Sequence, residues 1–228
     1  MRILALILAR GGSKRLPRKN LRPLGGKPLI VWSIDVAKDI PEICDILVST
    51  DDPTIELVSK ESGALVPWLR PAKLATDTAS SVDAALHALD WYEAENGKVD
   101  GLILLQPTSP FRTKNTVMRG IELFKKKNQQ TVLSVSLTHA HPMWALKMDG
   151  DYCVPFMKKH GMNARSQDLP VAYMVNGCLY VISPEELRVR REFIGVKTIP
   201  LLITSPQETI DIDTEWDFKV AEIILSLQ

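Results

Sequence analysis

Two periods of apolar patterning alternate along this chain. Ile3–Ala9 is a short unbroken apolar run that stops at Gly11-Gly12, as a strand buried on both faces of a parallel sheet does. Pro28–Lys38 then carries apolar residues at helical spacing through Leu29, Ile30, Ile34 and Ala37. Ile46–Ser49 reads as a second buried strand ending at Thr50-Asp51-Asp52, Pro53–Ser62 as a helix stopping at Gly63, and Ala64–Pro67 as a short third strand. Ser80–Glu95 is an amphipathic helix with Val82, Ala85, Leu86, Leu89 and Tyr92 on one face. Gly101–Leu105 is a strand, Thr113–Lys127 a helix and Val132–Leu137 a strand.

Strand and helix at this spacing predict an α/β fold with a mostly parallel sheet covered by helices on both faces. Ligands of such sheets bind beyond the carboxyl ends of the strands. The pattern lapses between His139 and about Val175, where Met143, Trp144, Tyr152, Phe156 and Met157 give an apolar stretch without clean periodicity. An arm or hairpin able to cover a partner is expected there. The regular pattern returns at Cys178–Ile182, near Lys197–Ile203, and in a final helix from about Thr214 to Leu227. The whole chain, 1–228, reads as one domain with an inserted arm at about 139–175.

Composition narrows the classes. With 45% hydrophobic and 24% charged residues the chain is not disordered. Lys and Arg number 28 against 27 Asp and Glu, so bulk charge gives no reason to expect nucleic-acid binding. Any anion site must be local. Cys44, Cys153 and Cys178 form no CxxC pair, which fits neither a zinc knuckle nor a disulfide framework. Ile3–Ala9 is too short to span a bilayer, and a basic Gly-rich stretch rather than a cleavage site follows it. A cytoplasmic protein with no membrane partner is expected. His87, His139, His141 and His160 have no ligand spacing with Cys or Glu, so a histidine metal site or triad is not expected.

Four stretches bear chemistry. Arg10-Gly11-Gly12-Ser13-Lys14-Arg15 follows the first strand, with Arg18, Lys19 and Asn20 close behind. Exposed N–H groups and converging cations at a strand end suit a polyphosphate, although neither Walker A nor GxGxxG spacing is present. Asp211 and Asp213, at alternate positions of Ile210–Thr214, face the same way if that segment is extended, and Mg²⁺ is the usual cation between such carboxylates in phosphate chemistry. Otherwise Asp213 caps the last helix and Asp211 is solvated. Gln106–Arg112 reads on spacing alone as a stiff loop capped by Thr or Ser, although it sits at the ligand edge. In Arg70–Ser81 the simple reading is a cap, Ser80 or Thr78, for the following helix.

Taken together and in order, these stretches resemble the acylneuraminate cytidylyltransferases, the CMP-sialic acid and CMP-nonulosonate synthetases. The matching pieces are the Ala-Arg-Gly-Gly-Ser-Lys-Arg-Leu-Pro-Arg-Lys-Asn-Leu run within Leu6–Leu21, Ser49–Asp52, Arg70–Ser81, Gln106–Arg112, Asn176–Val181 and Ile210–Asp217. The resemblance implies a Rossmann-like nucleotidyltransferase fold and a homodimer in which the arm crosses to the other subunit. It implies transfer of CMP from CTP to a nine-carbon 2-keto sugar acid with Mg²⁺ (or Mn²⁺), releasing pyrophosphate. Arg10 and Lys19 would hold the triphosphate, with Gly11, Gly12 and Ser13 in the same loop, and Asn20 would touch the nucleotide. Arg70, Ser80 and Ser81 would lie at the cytidine. Gln106 and Tyr180 would face the sugar, and Asp211 and Asp213 would hold the metal. Arg10, Lys19 and Asp211 would be the catalytic groups. Arg165 resembles an arginine of the dimer arm.

The sugar half drifts from the sialic acid pattern. A lysine often follows the His-Pro of the arm in that family, whereas His141-Pro142 here precedes Met143 and Trp144. An aromatic pair often surrounds the sugar's N-acyl group; here Phe193 is flanked by Glu192 and Ile194. A relative of sialic acid such as legionaminic acid, with Trp144 and Phe193 at the sugar, fits this drift. Two other readings remain: a nucleotidyltransferase for another sugar or base, and a non-catalytic nucleotide-sensing module.

Overall fold

The computed structural model describes residues 1–138, 140–157, 164–195 and 197–227. In chain order the main elements are β1 (Ile3–Leu8), β2 (Pro23–Leu24), β3 (Lys27–Pro28), α1 (Leu29–Ala37), β4 (Ile43–Ser49), α2 (Pro53–Glu61), α3 (Ser81–Asn96), β5 (Gly101–Leu104), α4 (Lys114–Lys126), β6 (Val132–Leu137), β7 (Leu146–Asp149), β8 (Tyr152–Pro155), β9 (Tyr173–Ile182), α5 (Pro184–Arg190), β10 (Ile199–Leu202) and α6 (Glu215–Ser226).

One six-stranded sheet, ordered β10-β6-β9-β5-β1-β4, organises them. Alternate residues of the first apolar run go to opposite faces. Ile3, Ala5 and Ile7 pack with Ile30 and Ile34 of α1, Ile55 of α2 and Phe124 of α4. Leu4 and Leu6 pack with Val82, Leu89 and Tyr92 of α3 and Leu187 of α5. A third cluster joins Leu16, Leu24 and Phe111 to Ile212, Phe218 and Ala221, and so seats α6 against the loops at one end of the sheet. β1 pairs in parallel with β4 on one side and with β5 on the other. The chain therefore reverses its winding direction between β1 and β5, and a crevice opens beyond their carboxyl ends.

The sheet departs from expectation in three places. β9 runs ten residues from Tyr173, and it pairs antiparallel with both β5 and β6. Ala64–Pro67 forms no strand; only isolated bridges join Leu47 to Leu65 and Thr50 to Leu69, because the chain beyond β4 touches the sheet edge at single points. The short helix α5, capped by Ser183 with Pro184 at its start, follows β9 directly. The described part of the 139–175 segment contains the β7–β8 hairpin, turned at Gly150 with φ +61°. Met148 and Tyr152 stand exposed on it, as do Phe156 and Met157 just beyond, while His139 and His160 lie outside the described residues.

Candidate active site

The crevice is a cleft of about 420 Å³ beyond Leu8 of β1 and Leu104 of β5, lined also by Arg10, Lys19, Asn20, Gln106 and Asp213. A second chamber of about 260 Å³ adjoins it at Leu8, Arg10, Asp77 and Ser81, and extends to Arg70 and Ser80.

The loop after β1 is shaped by the end of β4. The Gly11 N–H donates to Asp51 Oδ1 at 2.9 Å. A Cβ on Gly11 would stand 2.7 Å from Asp52 Oδ2, so glycine is needed there for close packing on β4. Gly12 faces open space. Asp52 also caps α2, accepting from Thr54 N at 2.7 Å and Ile55 N at 3.1 Å. Further on, the buried Asn20 donates to the Arg10 carbonyl at 3.0 Å and clamps the two ends of the loop together. Arg70 is buried under the second chamber and donates through Nε to Ser49 Oγ at 2.9 Å and through Nη2 to the Ser49 carbonyl. Burial pulls its pKa below the ordinary arginine value, with Asp51 opposing the shift.

The loop cations face carboxylates. Lys19 Nζ lies 2.9 Å from Asp213 Oδ1, and Arg15 lies 2.6 Å from Asp213 Oδ2. Arg10 lies 2.6 Å from Asp77, which also pairs with Lys14.

The opposite wall is the loop after β5. The Ile212 N–H donates to the Thr108 carbonyl at 2.8 Å, which joins this loop to the Asp211–Asp213 segment. That segment follows a 3-10 turn at Gln207–Thr209 and is not a strand. Thr214, not Asp213, caps α6, and Asp217 accepts from the N–H groups of Asp213 at 3.1 Å and Thr214 at 2.7 Å in a capping box. Asp211 does not itself line either chamber; as a residue it is exposed, yet partial burial of its carboxyl raises its pKa. A hydrogen bond from Thr108 works against that shift, and the Asp213 charge adds to it. Tyr180 and Phe193 form a tilted ring pair with centroids 5.7 Å apart. Both are buried, and the Tyr180 hydroxyl is held above its ordinary pKa, first by burial and then by Asp211.

Similarity to known proteins fits this geometry. A family model described as Cytidylyltransferase matches residues 4–154. The chain belongs to that family. The CMP-N,N'-diacetyllegionaminic acid synthase of Legionella pneumophila is 38% identical over 229 residues, covering 100% of this chain and 97% of that protein. A pseudaminic acid cytidylyltransferase of Campylobacter jejuni is 32% identical, covering 98% of this chain and 96% of that protein. A solved CMP:2-keto-3-deoxy-manno-octonic acid synthetase in complex with CTP superposes with a TM-score of 0.72 at 19% identity, over 100% of this chain and 99% of that one, a likeness of fold.

In this cytidylyltransferase the fold gathers Arg10, Ser13, Lys19, Asn20, Gln106, Asp213 and Ser81 around one cleft and Arg70 and Ser80 beside it. Ser80 is also the helix cap, accepting from Val82 N at 3.1 Å. Two expectations change. The Gly11 N–H is already spent on Asp51, so it is not free for a phosphate. Tyr180 and Phe193 pack against each other in the core rather than standing open to a sugar. Trp144, in a 3-10 turn against His141, and the exposed Arg165 stand outside the cleft of their own chain, and the expectation for the arm they belong to concerns the cleft of a partner.

Sequence reasoning missed Asp77, Asp51 and Arg112. Asp77 lies inside the Arg70–Ser81 stretch, and an acid three residues before the capping serine of α3, in a stretch already placed at the nucleotide, was the available signal. Among the described residues no group of three or more His, Cys, Asp or Glu could by itself hold a metal ion. The donor set still fits a hard divalent cation. Asp211 and Asp213 sense each other's charge at the cleft, and Mg²⁺ takes one or two carboxylates with substrate phosphate and water completing its shell.

Proposed function

We propose that this cytidylyltransferase transfers CMP from CTP to the anomeric hydroxyl of a nine-carbon 2-keto sugar acid, and that N,N'-diacetyllegionaminic acid or a close relative is the acceptor. The observation that carries the reading is the cleft itself: Arg10, Lys14, Arg15 and Lys19 converge at the winding reversal, facing Gln106 and Asp213. The acceptor class is supported by the 38% identical relative named for that sugar.

The triphosphate would lie along Arg10 and Lys19, which offset the charge that builds on the leaving phosphates. The anomeric oxygen attacks the α-phosphorus, a P–O bond forms there, and the bond to the bridging oxygen breaks as pyrophosphate departs with the electron pair. Asp211 would accept the hydroxyl proton through the carboxylate oxygen left free of the metal ion. Asp211 and Asp213 would hold Mg²⁺, whose contribution when bound is to neutralise phosphate charge. Arg70, Ser80 and Ser81 would bound the cytosine chamber, small enough to disfavour a purine.

The protein would act as a homodimer, since the β7–β8 hairpin presents Met148 and Tyr152 to solvent in the single chain, beside the exposed ring of the adjoining Phe156, and clustered exposed apolar side chains mark interaction surfaces. It would work in the cytoplasm; its three cysteines are unpaired, and among the described residues no helix is long and apolar enough to cross a membrane.

The test is pyrophosphate release with CTP and a panel of nonulosonic acids, with and without Mg²⁺. Turnover with N,N'-diacetyllegionaminic acid that needs the ion supports the reading. Equal turnover with GTP or ATP, or none with any nonulosonic acid, rejects it. Light scattering that gives a monomer at micromolar concentration rejects the dimer.

A further inference from the structure

Asp77 has no part in the reaction derived above, yet its carboxylate lies inside the cleft. It borders both chambers, and it engages two cations of the phosphate loop: Arg10 Nη1 at 2.6 Å and Lys14 Nζ. Those pairs hold the carboxyl below the usual aspartate range, Lys14 first and Arg10 second. Asp77 belongs to the segment between the 3-10 turn Ala72–Leu74 and the cap of α3. Apart from the ion pairs, a backbone bond from Ala79 N to the Thr76 carbonyl at 3.2 Å and a Thr76–Thr78 hydroxyl contact at 3.4 Å hold that segment locally. It is a short tether carrying one anion into a cation-lined space.

We propose that Asp77 is a displaceable counter-ion that competes with the polyphosphate for Arg10 and Lys14. The inference rests on the polyphosphate reading of the loop and goes beyond it. A carboxylate and a phosphate oxygen seek the same donors, and Arg10 cannot serve both fully. With the cleft empty, Asp77 offsets part of the charge of Arg10 and Lys14. An entering triphosphate takes over both cations and frees Asp77. As pyrophosphate leaves, Asp77 returns to the same cations, which speeds that departure. Ion pairs this exposed are weak, and a strongly charged ligand can therefore displace them. Asp77 thus sets the affinity of the site for polyphosphate without touching the reacting atoms.

The experiment is calorimetric titration of the full-length protein with inorganic tripolyphosphate, a probe that needs neither base nor sugar. It is run on wild type, Asp77→Asn, Asp77→Glu and Asp90→Asn, the last removing a comparable surface carboxylate paired with Arg188. Asp77→Asn is expected to bind about three- to tenfold tighter than wild type. Asp90→Asn should match wild type, and Asp77→Glu should stay near it. In turnover with CTP, Asp77→Asn should lower the KM for CTP and the inhibition constant of pyrophosphate together. Asp77→Asn binding that is unchanged or weaker overturns the proposal, as does equal tightening by Asp90→Asn. Failure of the proposed function shows differently, as absence of CTP turnover by wild type.

Discussion

Arg112 Nη2 donates to the carbonyl oxygen of Gln106 at 2.9 Å, while Nε reaches the Cys178 carbonyl and Nη1 lies 3.3 Å from Ser33 Oγ. One buried guanidinium thus ties the loop after β5 to β9 and to α1. Burial pulls its pKa below the ordinary arginine value, against the opposing influence of Cys178 and then Glu208. Arg112→Lys keeps the charge and loses the planar fork, leaving buried carbonyls unpaired. It is expected to destabilise the fold by about 2–4 kcal/mol. Urea denaturation measures this; a loss under about 0.5 kcal/mol would mean the guanidinium is not the staple.

Gly177 sits at φ +73°, and a Cβ there would stand 2.9 Å from Gln106 Oε1. Gly177→Ala therefore combines left-handed backbone strain, about 1–2 kcal/mol, with displacement of a side chain at the cleft. The expected result is a higher KM for the sugar acid and little change in the KM for CTP. Steady-state kinetics with each substrate varied in turn decides this.

The strand-end placement of the site was legible because β1 and β5 are continuous apolar runs that stop abruptly at turn residues. Arg10 and Gln106 lie just past such stops, so position made them candidates, whereas Lys19 stood out by the basic run and Asp213 by the alternation of two carboxylates. The direction of β9 was not legible. An apolar run reads the same whichever way it is inserted, and the segment preceding Cys178 exposes Tyr173, Met174 and Val175, which blurs the strand's start. Arg112 was hidden for another reason. An arginine in a proline-bearing loop looks solvated until the strand that buries it is in place, and the carbonyl it reaches on that strand, that of Cys178, lies 66 residues further on. Asp77 carries no signal of its own, because a helix start explains Ser80 without needing the acid three residues earlier.

His87 on α3 stacks edge-on against Trp68 with ring centroids 5.2 Å apart. Its pKa is lowered from 6.5, first by burial, then by Arg70, with Asp90 opposing and Lys73 adding. The unfolded chain therefore takes up this proton at a higher pH than the folded one. Stability from this site is complete above pH 6.5 and falls as pH drops below it toward the folded value. His87→Gln should flatten that part of the profile. Urea midpoints at about pH 7.5 and 5.5 compare the two proteins, and an equal acid loss in both would assign the effect to other groups.

Trp144 and Asp211 give a test of sites shared between subunits. Trp144 is 37% exposed and lies outside the cleft of its own chain, whereas Asp211 adjoins the cleft through Thr108 and Ile212. Trp144→Ala removes a partly covered ring packed on His141, so its stability should fall by about 1 kcal/mol, too little to unfold the chain. If the arm delivers Trp144 to the partner's sugar, sugar kcat/KM should nonetheless fall. Asp211→Ala should lose about 3–4 kcal/mol of transition-state stabilisation, by analogy with removal of one electrostatic donor. Co-refolding the two variants in equal amounts then makes mixed dimers in half of the cases. Each mixed dimer would hold one site with both residues intact and one with neither. Activity should recover to about a quarter of wild type. A mixture no more active than the mean of the two variants would place Trp144 and Asp211 in the same chain's site, or Trp144 in none.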